Sequence, residues 1–273
     1  MTDLPTDRRF AGSIPQLYER HLVPLIFAPY AHDLAARTAR SEPGEVLELA
    51  AGTGVLTREL ARTLPTDTRL VATDINAPML AEAAAAGSAR PVEWREADAL
   101  ALPFADAAFD AVVCQFGAMF FADRPRAYAE ARRVLRPGGR LLFNVWDRLD
   151  TNVFADLVTQ ALAARFPADP PTFLARLPHG YHDPARIAED LRRGGYAAAP
   201  QCTCLTFPSR AASADAVAFA YCHGTPLRHE IEAQGPTALE AATAAATARI
   251  AQVCGDGAVE APVQAWVIEV ARD

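Results

Sequence analysis

Two periodicities of apolar residues alternate along the middle of the chain. Short apolar runs typical of buried strands occupy 46–50, 69–74, 91–97, 109–116 and 140–146. Segments with apolar residues at helical spacing occupy 54–64, 77–86 and 123–135. Because strands and helices alternate, the pattern predicts parallel βαβ units, and hence an α/β doubly wound sheet with helices on both faces.

The pattern is less regular on either side of this region. Residues 14–39 are predicted to form two helical pieces, broken near Pro24 and Pro29. The later part is predicted to contain helices at 151–166 and 184–194 and strands at 201–207 and 262–272. The last two strands are about 55 residues apart, whereas a hairpin loop normally has about 2–5. The mostly helical segment between them, about 208–261, is therefore predicted to be an insertion that packs over another part of the protein.

Composition narrows the class of protein. With 273 residues, 51% of them hydrophobic, the chain can bury one sizeable core. No apolar run approaches the roughly 20 residues of a membrane span, and MTDLPTDRRF lacks the apolar segment of a signal peptide, so we expect a soluble cytoplasmic protein. The net charge of −7 argues against a nucleic-acid partner. The chain contains no lysine, which excludes Schiff-base catalysis and a P-loop.

The stretch ELAAGTG, at 48–54, follows the first predicted strand and holds the first candidate site residues. Glycine allows positive φ and close approach of the backbone to a ligand, although Gly52 and Gly54 alone would also suit an ordinary turn. A dinucleotide fingerprint requires G-x-G-x-x-G, and its third glycine is replaced by Thr57. Glu48 would repel a pyrophosphate but would favour a ligand that carries an amino group or a positive charge.

Two aspartates follow the next strands. Asp74 ends the second strand, where a carboxylate can accept hydrogen bonds from both hydroxyls of a ribose; its alternative role is to cap the helix at 77–86. Asp98 ends the third strand, where it can accept from an exocyclic amino group, and Leu100 can pack on a flat base. These positions together indicate a nucleoside with a cationic, amino-bearing tail.

The stretch 45–146 resembles a class I S-adenosylmethionine-dependent methyltransferase, and more closely the ubiquinone/menaquinone-type group that acts on small molecules. The resemblance rests on four segments in order: VLELAAGTGVLTREL, LVATDINAPML, VEWREADALALPFADAAFDAVVCQF and EARRVLRPGGRLLFNVW. It implies a Rossmann-like seven-stranded sheet whose last strand is antiparallel, with strands six and seven at 201–207 and 262–272. It also implies S-adenosylmethionine as cofactor, with S-adenosylhomocysteine as its product.

The resemblance assigns roles to residues. The positions that match the motif around the methionine part of the cofactor are Glu48, Ala50, Gly52 and Gly54. The positions that match contacts to the ribose and adenine are Asp74, Ile75, Met79, Asp98, Ala99 and Leu100. Gln115 matches a position that lines the methionine tail and faces the substrate. The chain departs from the family in its 208–261 insertion, and it lacks the Asp/Asn-Pro-Pro-aromatic signature of nucleic-acid amino-methyltransferases.

The predicted activity is methyl transfer to an oxygen, nitrogen or activated carbon of a small organic acceptor. The alternatives are methylation of a protein or RNA, a catalytically silent cofactor-binding domain, and a nicotinamide oxidoreductase, which Thr57 and Glu48 disfavour. The reaction needs alignment of the acceptor with the methyl group and requires no metal. If a base assists, the candidates are His21 and His179, because their segments could close over the strand ends.

The predicted organisation has three parts. Residues 1–40 form an N-terminal helical cap, 41–150 the cofactor-binding core, and 151–273 the rest of the core with the insertion. Tyr18 and Arg20 are predicted to cover the cofactor, with a surface salt bridge as the alternative role for Arg20. The insertion is predicted to cap the cofactor site and form the acceptor pocket, or alternatively to form a homodimer interface.

Overall fold

A computed structural model describes Asp7 and residues 10–273, and in it the predicted strands form one sheet. The strands are β1 (Glu45–Glu48), β2 (Arg69–Asp74), β3 (Glu93–Glu96), β4 (Phe109–Gln115), β5 (Leu135–Trp146), β6 (Gln201–Ala211) and β7 (Val259–Ala271). Their order across the sheet is β3-β2-β1-β4-β5-β7-β6. The first five pair in parallel, whereas β7 runs antiparallel to β5, as the resemblance implies.

The helices lie where the apolar spacing predicts most of them. They are α1 (Ile14–Leu17), α2 (Ala28–Ala39), α3 (Val55–Thr63), α4 (Ala77–Ala86), α5 (Arg124–Val134), α6 (Val153–Arg165), α7 (Phe173–Arg176), α8 (Pro184–Arg193), α9 (Ala214–His223), α10 (Leu227–Glu232) and α11 (Ala238–Cys254). Among the described residues, no helix is both long enough and apolar enough to cross a membrane. Most of the N-terminal stretch inspected for a signal peptide, residues 1–6, 8 and 9, lies outside the described residues.

Helices cover both faces of the sheet. On one face, α2 and α3 bury Leu34, Leu56 and Leu60 against residues such as Val46 of β1 and Leu142 of β5. On the other, Tyr128 of α5 stacks on Phe143 of β5, with ring centroids 5.3 Å apart. Strands of a doubly wound sheet are buried on both sides, which explains why β4 and β5 read as continuous apolar runs.

Two predicted boundaries were wrong. The chain does not break at Pro24, because a π-helical segment, Tyr18–Phe27, runs through this residue. Pro29 is the second residue of α2, which continues directly from the π-helical segment, so the chain does not break there either. Strand β5 begins at Leu135 rather than at residue 140, so the RPGG segment belongs to the strand, and a register irregularity opposite it absorbs the turn.

The described residues group into two compact units. The sheet unit contains Ala28–Trp146, Tyr181–Leu205 and Ala265–Asp273; the helical unit contains the described residues up to Phe27, Asp147–Gly180 and Thr206–Gln264. Within the helical unit, α9 packs against the π-helical segment, and α11 packs against α6 and α9. The insertion and the N-terminal helical segment, which the sequence analysis assigned to one cap, therefore belong to the same unit. The three-part division of the chain and the capping role stay predictions.

Candidate functional site

The loop after β1 has an unusual backbone. Ala50, Gly52 and Gly54 all have positive φ, at 52°, 57° and 82°. The loop is fixed on one side, since the Ala51 N–H group donates to the Thr73 carbonyl oxygen at 2.9 Å. At Gly54, a Cβ atom would lie 3.1 Å from side-chain atoms of both Ala83 and Trp94, so α3 begins in close contact with α4 and β3. The result is a tight loop at the carboxyl end of β1, in which the N–H groups of residues 49, 51, 52 and 54 are hydrogen-bonded within the protein.

Asp74 joins this loop to the end of β2. Its side chain is only 6% exposed; Oδ2 accepts from the Gly52 N–H group at 2.9 Å, and Oδ1 accepts from the Asn76 N–H group at 2.8 Å. Burial raises the pKa of the Asp74 carboxyl, while these hydrogen bonds act in the opposite direction. The N-cap of α4 is Asn76, so the alternative role of Asp74 as that helix's N-cap residue was wrong.

Glu48 lies deeper, at the last position of β1. Its side chain is 1% exposed, and Thr57 Oγ1 donates to its Oε2 at 2.6 Å. Burial raises the pKa of Glu48 to about 8, with Asp74 adding to the rise and Thr57 and Arg58 opposing it. A cationic group placed near this carboxyl would stabilise its ionised form. The carboxyl therefore favours a ligand that carries positive charge.

The positions assigned to the adenosine part follow β2 and β3. Ile75 is 37% exposed, one of two large hydrophobic side chains exposed among the described residues, whereas Met79 in α4 is buried. Asp98 is exposed, and its Oδ1 accepts from the Leu100 N–H group at 2.9 Å. Ala99 and Leu100 are half-buried. An exposed isoleucine directly after Asp74 provides an apolar surface that a flat base could cover.

The turn after β4 contacts the loop after β1. Gln115 ends β4 and is buried, and Phe116 follows it at a φ of 52°. At Gly117, a Cβ atom would lie 2.4 Å from the Ala50 Cβ and 2.8 Å from the Cys114 Sγ. Only glycine fits at this position, because both neighbours are closer than van der Waals contact permits.

Eleven of the thirteen predicted cofactor residues thus lie in the sheet unit, in or after β1 to β4: Glu48, Ala50, Gly52, Gly54, Asp74, Ile75, Met79, Asp98, Ala99, Leu100 and Gln115. The other two belong to the helical unit. There, the Tyr18 ring lies 4.9 Å from that of Phe27, and Arg20 is exposed. Their predicted contact with the cofactor stays a prediction.

The two candidate bases also belong to the helical unit. The His21 ring lies edge-on to Phe219, with centroids 5.2 Å apart, and its pKa is lowered, first by burial and then by Arg20. His179 is buried, with Nδ1 2.8 Å from the Asp147 carbonyl oxygen. A carbonyl oxygen only accepts, so Nδ1 carries the hydrogen and the neutral ring has its lone pair on Nε2.

Three residues of the site region were missed by the sequence analysis. Thr57 was read only as a missing glycine, yet it bonds Glu48. Thr53 is buried inside the loop, and its Oγ1 has no hydrogen-bond partner among the described residues. Asn144 is fully buried in β5; its signal was one polar residue inside the apolar run LLFNVW. The other two gave no signal, because threonine is common in loops and helices.

Comparison with known proteins places the chain in a family. Residues 47–143 match the family described as a methyltransferase domain. A demethylmenaquinone methyltransferase from Mycolicibacterium vanbaalenii is 36% identical over 165 residues, covering 57% of this chain and 69% of that protein. The chain belongs to the class I S-adenosylmethionine-dependent methyltransferases, in the quinone-type group.

Other matches define the extent of the likeness. A demethylmenaquinone methyltransferase from Thermus thermophilus is 49% identical over 114 residues. The match covers 41% of this chain and 50% of that relative, so the chain spans about half of the relative's length. A solved structure of phosphoethanolamine N-methyltransferase 2 from Haemonchus contortus, in complex with S-adenosylhomocysteine, has a TM-score of 0.56 at 15% identity. That match covers 94% of this chain and 56% of the other, and it shows that the fold is shared.

Near the loop after β1, Asp74 is a side chain that could accept from the hydroxyls of a bound nucleoside. A carboxylate has about four lone-pair positions, and Asp74 already accepts from the Gly52 and Asn76 N–H groups and, at 3.3 Å, from Asn76 Nδ2. Two ribose hydroxyls would therefore take its remaining position and displace the longer Asn76 bond. In the part of the chain that the structure describes, no group of three His, Cys, Asp or Glu residues is arranged to hold a metal ion.

Proposed function

We propose that the protein transfers a methyl group from S-adenosylmethionine to a small organic acceptor. The observation that carries this proposal is the pair of buried carboxyls, Glu48 and Asp74, on either side of a loop with three positive φ angles. Such a loop admits a ligand close to its backbone, Asp74 suits a ribose, and Glu48 suits a cationic tail. A pyrophosphate-bearing dinucleotide would face the Glu48 carboxyl without gain.

Each predicted cofactor residue of the sheet unit has its own proposed contact with the cofactor. Asp74 would hold the ribose hydroxyls, Ile75 and Met79 would contact the adenine, and Asp98 with Ala99 and Leu100 would lie along its edge. Glu48 and the Ala50–Gly54 loop would surround the methionine tail, and Gln115 would face the acceptor. When bound, the cofactor supplies a methyl group already activated on a sulfonium. The protein then has to orient the acceptor and exclude water.

The names of the relatives support one acceptor class as the first to test. Two are named demethylmenaquinone methyltransferases, so a quinol ring is the first acceptor class to test. The net charge of −7 disfavours an RNA acceptor, which needs clustered cations. Methylation at an activated ring carbon or a hydroxyl releases a proton, and we propose His179 as its acceptor because its Nδ1–H tautomer leaves the lone pair on Nε2.

A methyl-transfer assay tests this function. The protein would be incubated with S-adenosylmethionine labelled in its methyl group and with demethylmenaquinol, and product and S-adenosylhomocysteine would be quantified by mass spectrometry. We expect label in the quinol in proportion to protein, and roughly tenfold less or lower with an Asp74→Ala variant when the cofactor is below saturation. Label that enters a protein or RNA fraction but no quinol or other small molecule would contradict the proposal.

A cytoplasmic location and self-association through the insertion, the alternative to a cap, are also proposals. Cell fractionation tests the first, and sedimentation of the purified protein over a range of concentrations tests the second. A single monomer species at every concentration would leave the cap as the remaining role for the insertion.

A further inference from the structure

A single amide side chain interrupts the apolar interior of β5. Asn144 is 0% exposed and lies between Phe143 and Val145, which are equally buried. In the sheet it is the register partner of Gln115, the last residue of β4. Burying an amide is unfavourable unless it forms hydrogen bonds, so its presence here calls for a contact that an apolar side chain could not make.

That contact is with the backbone of Phe116. Asn144 Oδ1 accepts from the Phe116 N–H group at 3.0 Å, and the Asn144 carbonyl oxygen lies 3.2 Å from the same nitrogen. Phe116 has a φ of 52°, a left-handed conformation that is rare for a bulky residue. Such strain persists only where the surroundings hold the backbone in place, and it concentrates at functional sites.

The strained turn at Phe116 and Gly117 packs directly against the Glu48–Gly54 loop. Gly117 is packed so closely that a Cβ atom there would lie 2.4 Å from the Ala50 Cβ. Ala50 is itself left-handed, at a φ of 52°, within the Glu48–Gly54 loop. A change in the Phe116 turn would therefore move the Ala50 loop, because neither backbone has room to adjust alone.

We propose that Asn144 is a positioning residue: its Oδ1 holds the left-handed Phe116 turn, which sets the direction of Gln115 and seats the Glu48–Gly54 loop for the cofactor. The inference rests on the proposed function, since it assigns Gln115 and this loop to the cofactor site. The acceptor oxygen carries the role, because the Asn144 Nδ2 group has no hydrogen-bond partner among the described residues.

Substitution at Asn144 tests the proposal by calorimetry with S-adenosylhomocysteine. Asn144→Leu keeps the size but removes the Oδ1 acceptor, which leaves the Phe116 N–H group only the longer contact with the carbonyl oxygen of residue 144. We expect roughly a tenfold rise in Kd, the size of one buried hydrogen bond. Asn144→Asp keeps an oxygen at the same place and should stay within about threefold of the unaltered protein. The matched control is Phe143→Leu, which loosens packing on the same strand against Tyr128 without touching the Phe116 N–H group, and it should leave the Kd within about twofold.

A double-mutant comparison separates positioning from general stability. Glycine adopts a left-handed φ without strain, so a Phe116→Gly background should need Asn144 less than a Phe116→Ala background. We expect Asn144→Leu to weaken binding strongly with alanine at 116 and much less with glycine there. Equal losses in both backgrounds, or an Asn144→Leu variant that binds like the unaltered protein, would overturn the inference. If the unaltered protein failed to bind S-adenosylhomocysteine, the proposed function would fail first and this inference with it.

Discussion

Two buried carboxyls at the ends of neighbouring strands have different surroundings. Asp74 accepts two backbone N–H groups, whereas Glu48 accepts one hydroxyl and has its pKa raised to about 8. Hydrogen bonds from backbone amides stabilise a carboxylate, and burial with few donors favours the neutral acid. This difference agrees with the proposed roles, in which Asp74 accepts from ribose hydroxyls and Glu48 faces the cationic tail.

The ribose role of Asp74 predicts a loss of affinity on truncation. Asp74→Ala should weaken binding of S-adenosylhomocysteine by roughly tenfold or more, since charge-assisted hydrogen bonds contribute about 1.5–3 kcal/mol. Titration calorimetry gives the affinity, and circular dichroism checks that the variant is folded. An unchanged affinity would show that Asp74 serves only the Gly52 and Asn76 backbone.

The raised pKa of Glu48 predicts a pH effect on stability. Because the folded protein holds this proton more tightly than the unfolded chain, the contribution of Glu48 to the free energy of unfolding falls as pH rises from about 4.5 to about 8. Glu48→Gln removes the titration. Its stability relative to the unaltered protein should therefore increase across this window and then level off, as measured by urea unfolding. If the stability difference between the two proteins did not change with pH, the raised pKa of Glu48 would be wrong. Thr57, Arg58, Asp74 and Cys114 also interact with this carboxyl, and they are the same in both proteins.

The proposed role of His179 predicts a change in rate rather than in cofactor binding. General bases contribute typically 10²–10⁴-fold, so His179→Gln should lower kcat by roughly that factor while the Kd for S-adenosylhomocysteine is kept. His21→Gln is the control, with an expected change below about twofold. A similar kcat for His179→Gln and the unaltered protein would remove His179 from the chemistry.

Among the helices and strands, the apolar pattern correctly predicted the bounds of those whose ends are marked by a sharp change to polar residues. The predicted bounds of β2 and α4 are those of the structure, because Asp74 to Asn76 interrupt the apolar run sharply. The start of β5 was missed, because proline and two glycines normally end regular structure. Residues 136–139 lie between the register pairs Phe109–Leu135 and Ala111–Arg140, where the register shifts, and Gly138 has a φ of 79°. The π-helical segment through Pro24 was missed for a related reason, since packing within its unit outweighs helix propensity.

In the Glu48–Gly54 loop, a side chain added at a glycine is expected to have a large effect on cofactor binding. Gly52 has a φ of 57°, and its Cβ position faces the loop surface near the Met79 Cε, 3.5 Å away. Gly52→Val would strain the backbone and fill the space of a ligand, so we expect no measurable binding of S-adenosylhomocysteine. The control is Gly87→Val, also at positive φ but with open space around it, which should bind normally if it folds. Normal binding by Gly52→Val would place the cofactor elsewhere.

The insertion predicts a stability effect within its own unit. Ile250 in α11 is fully buried, whereas Val253 on the same helix is 53% exposed. Ile250→Ala should lower the free energy of unfolding by about 2–5 kcal/mol, and Val253→Ala by less than about 0.5 kcal/mol, in denaturant titrations. Equal effects would mean that α11 contributes no core, contrary to the predicted burial of its apolar face.

At the scale of the whole molecule, the sequence predicted the sheet, its antiparallel last strand and the adjacency of β6 and β7. The grouping into two units could not be predicted, because its limits fall inside β6 and β7, where the apolar pattern continues without interruption. The contact of Asn144 with Phe116 is distant in sequence, and Thr53 became visible only from its missing partner among the described residues. The acceptor's identity is set by pocket shape and polarity, which no local pattern encodes.

Calorimetric titration of the intact protein with S-adenosylhomocysteine, and in parallel with NAD, tests the central claim most directly. Glu48, Asp74 and the loop between β1 and α3 predict that S-adenosylhomocysteine binds with one site per chain and that NAD gives no measurable heat of binding. Binding of NAD with no binding of S-adenosylhomocysteine would contradict the account.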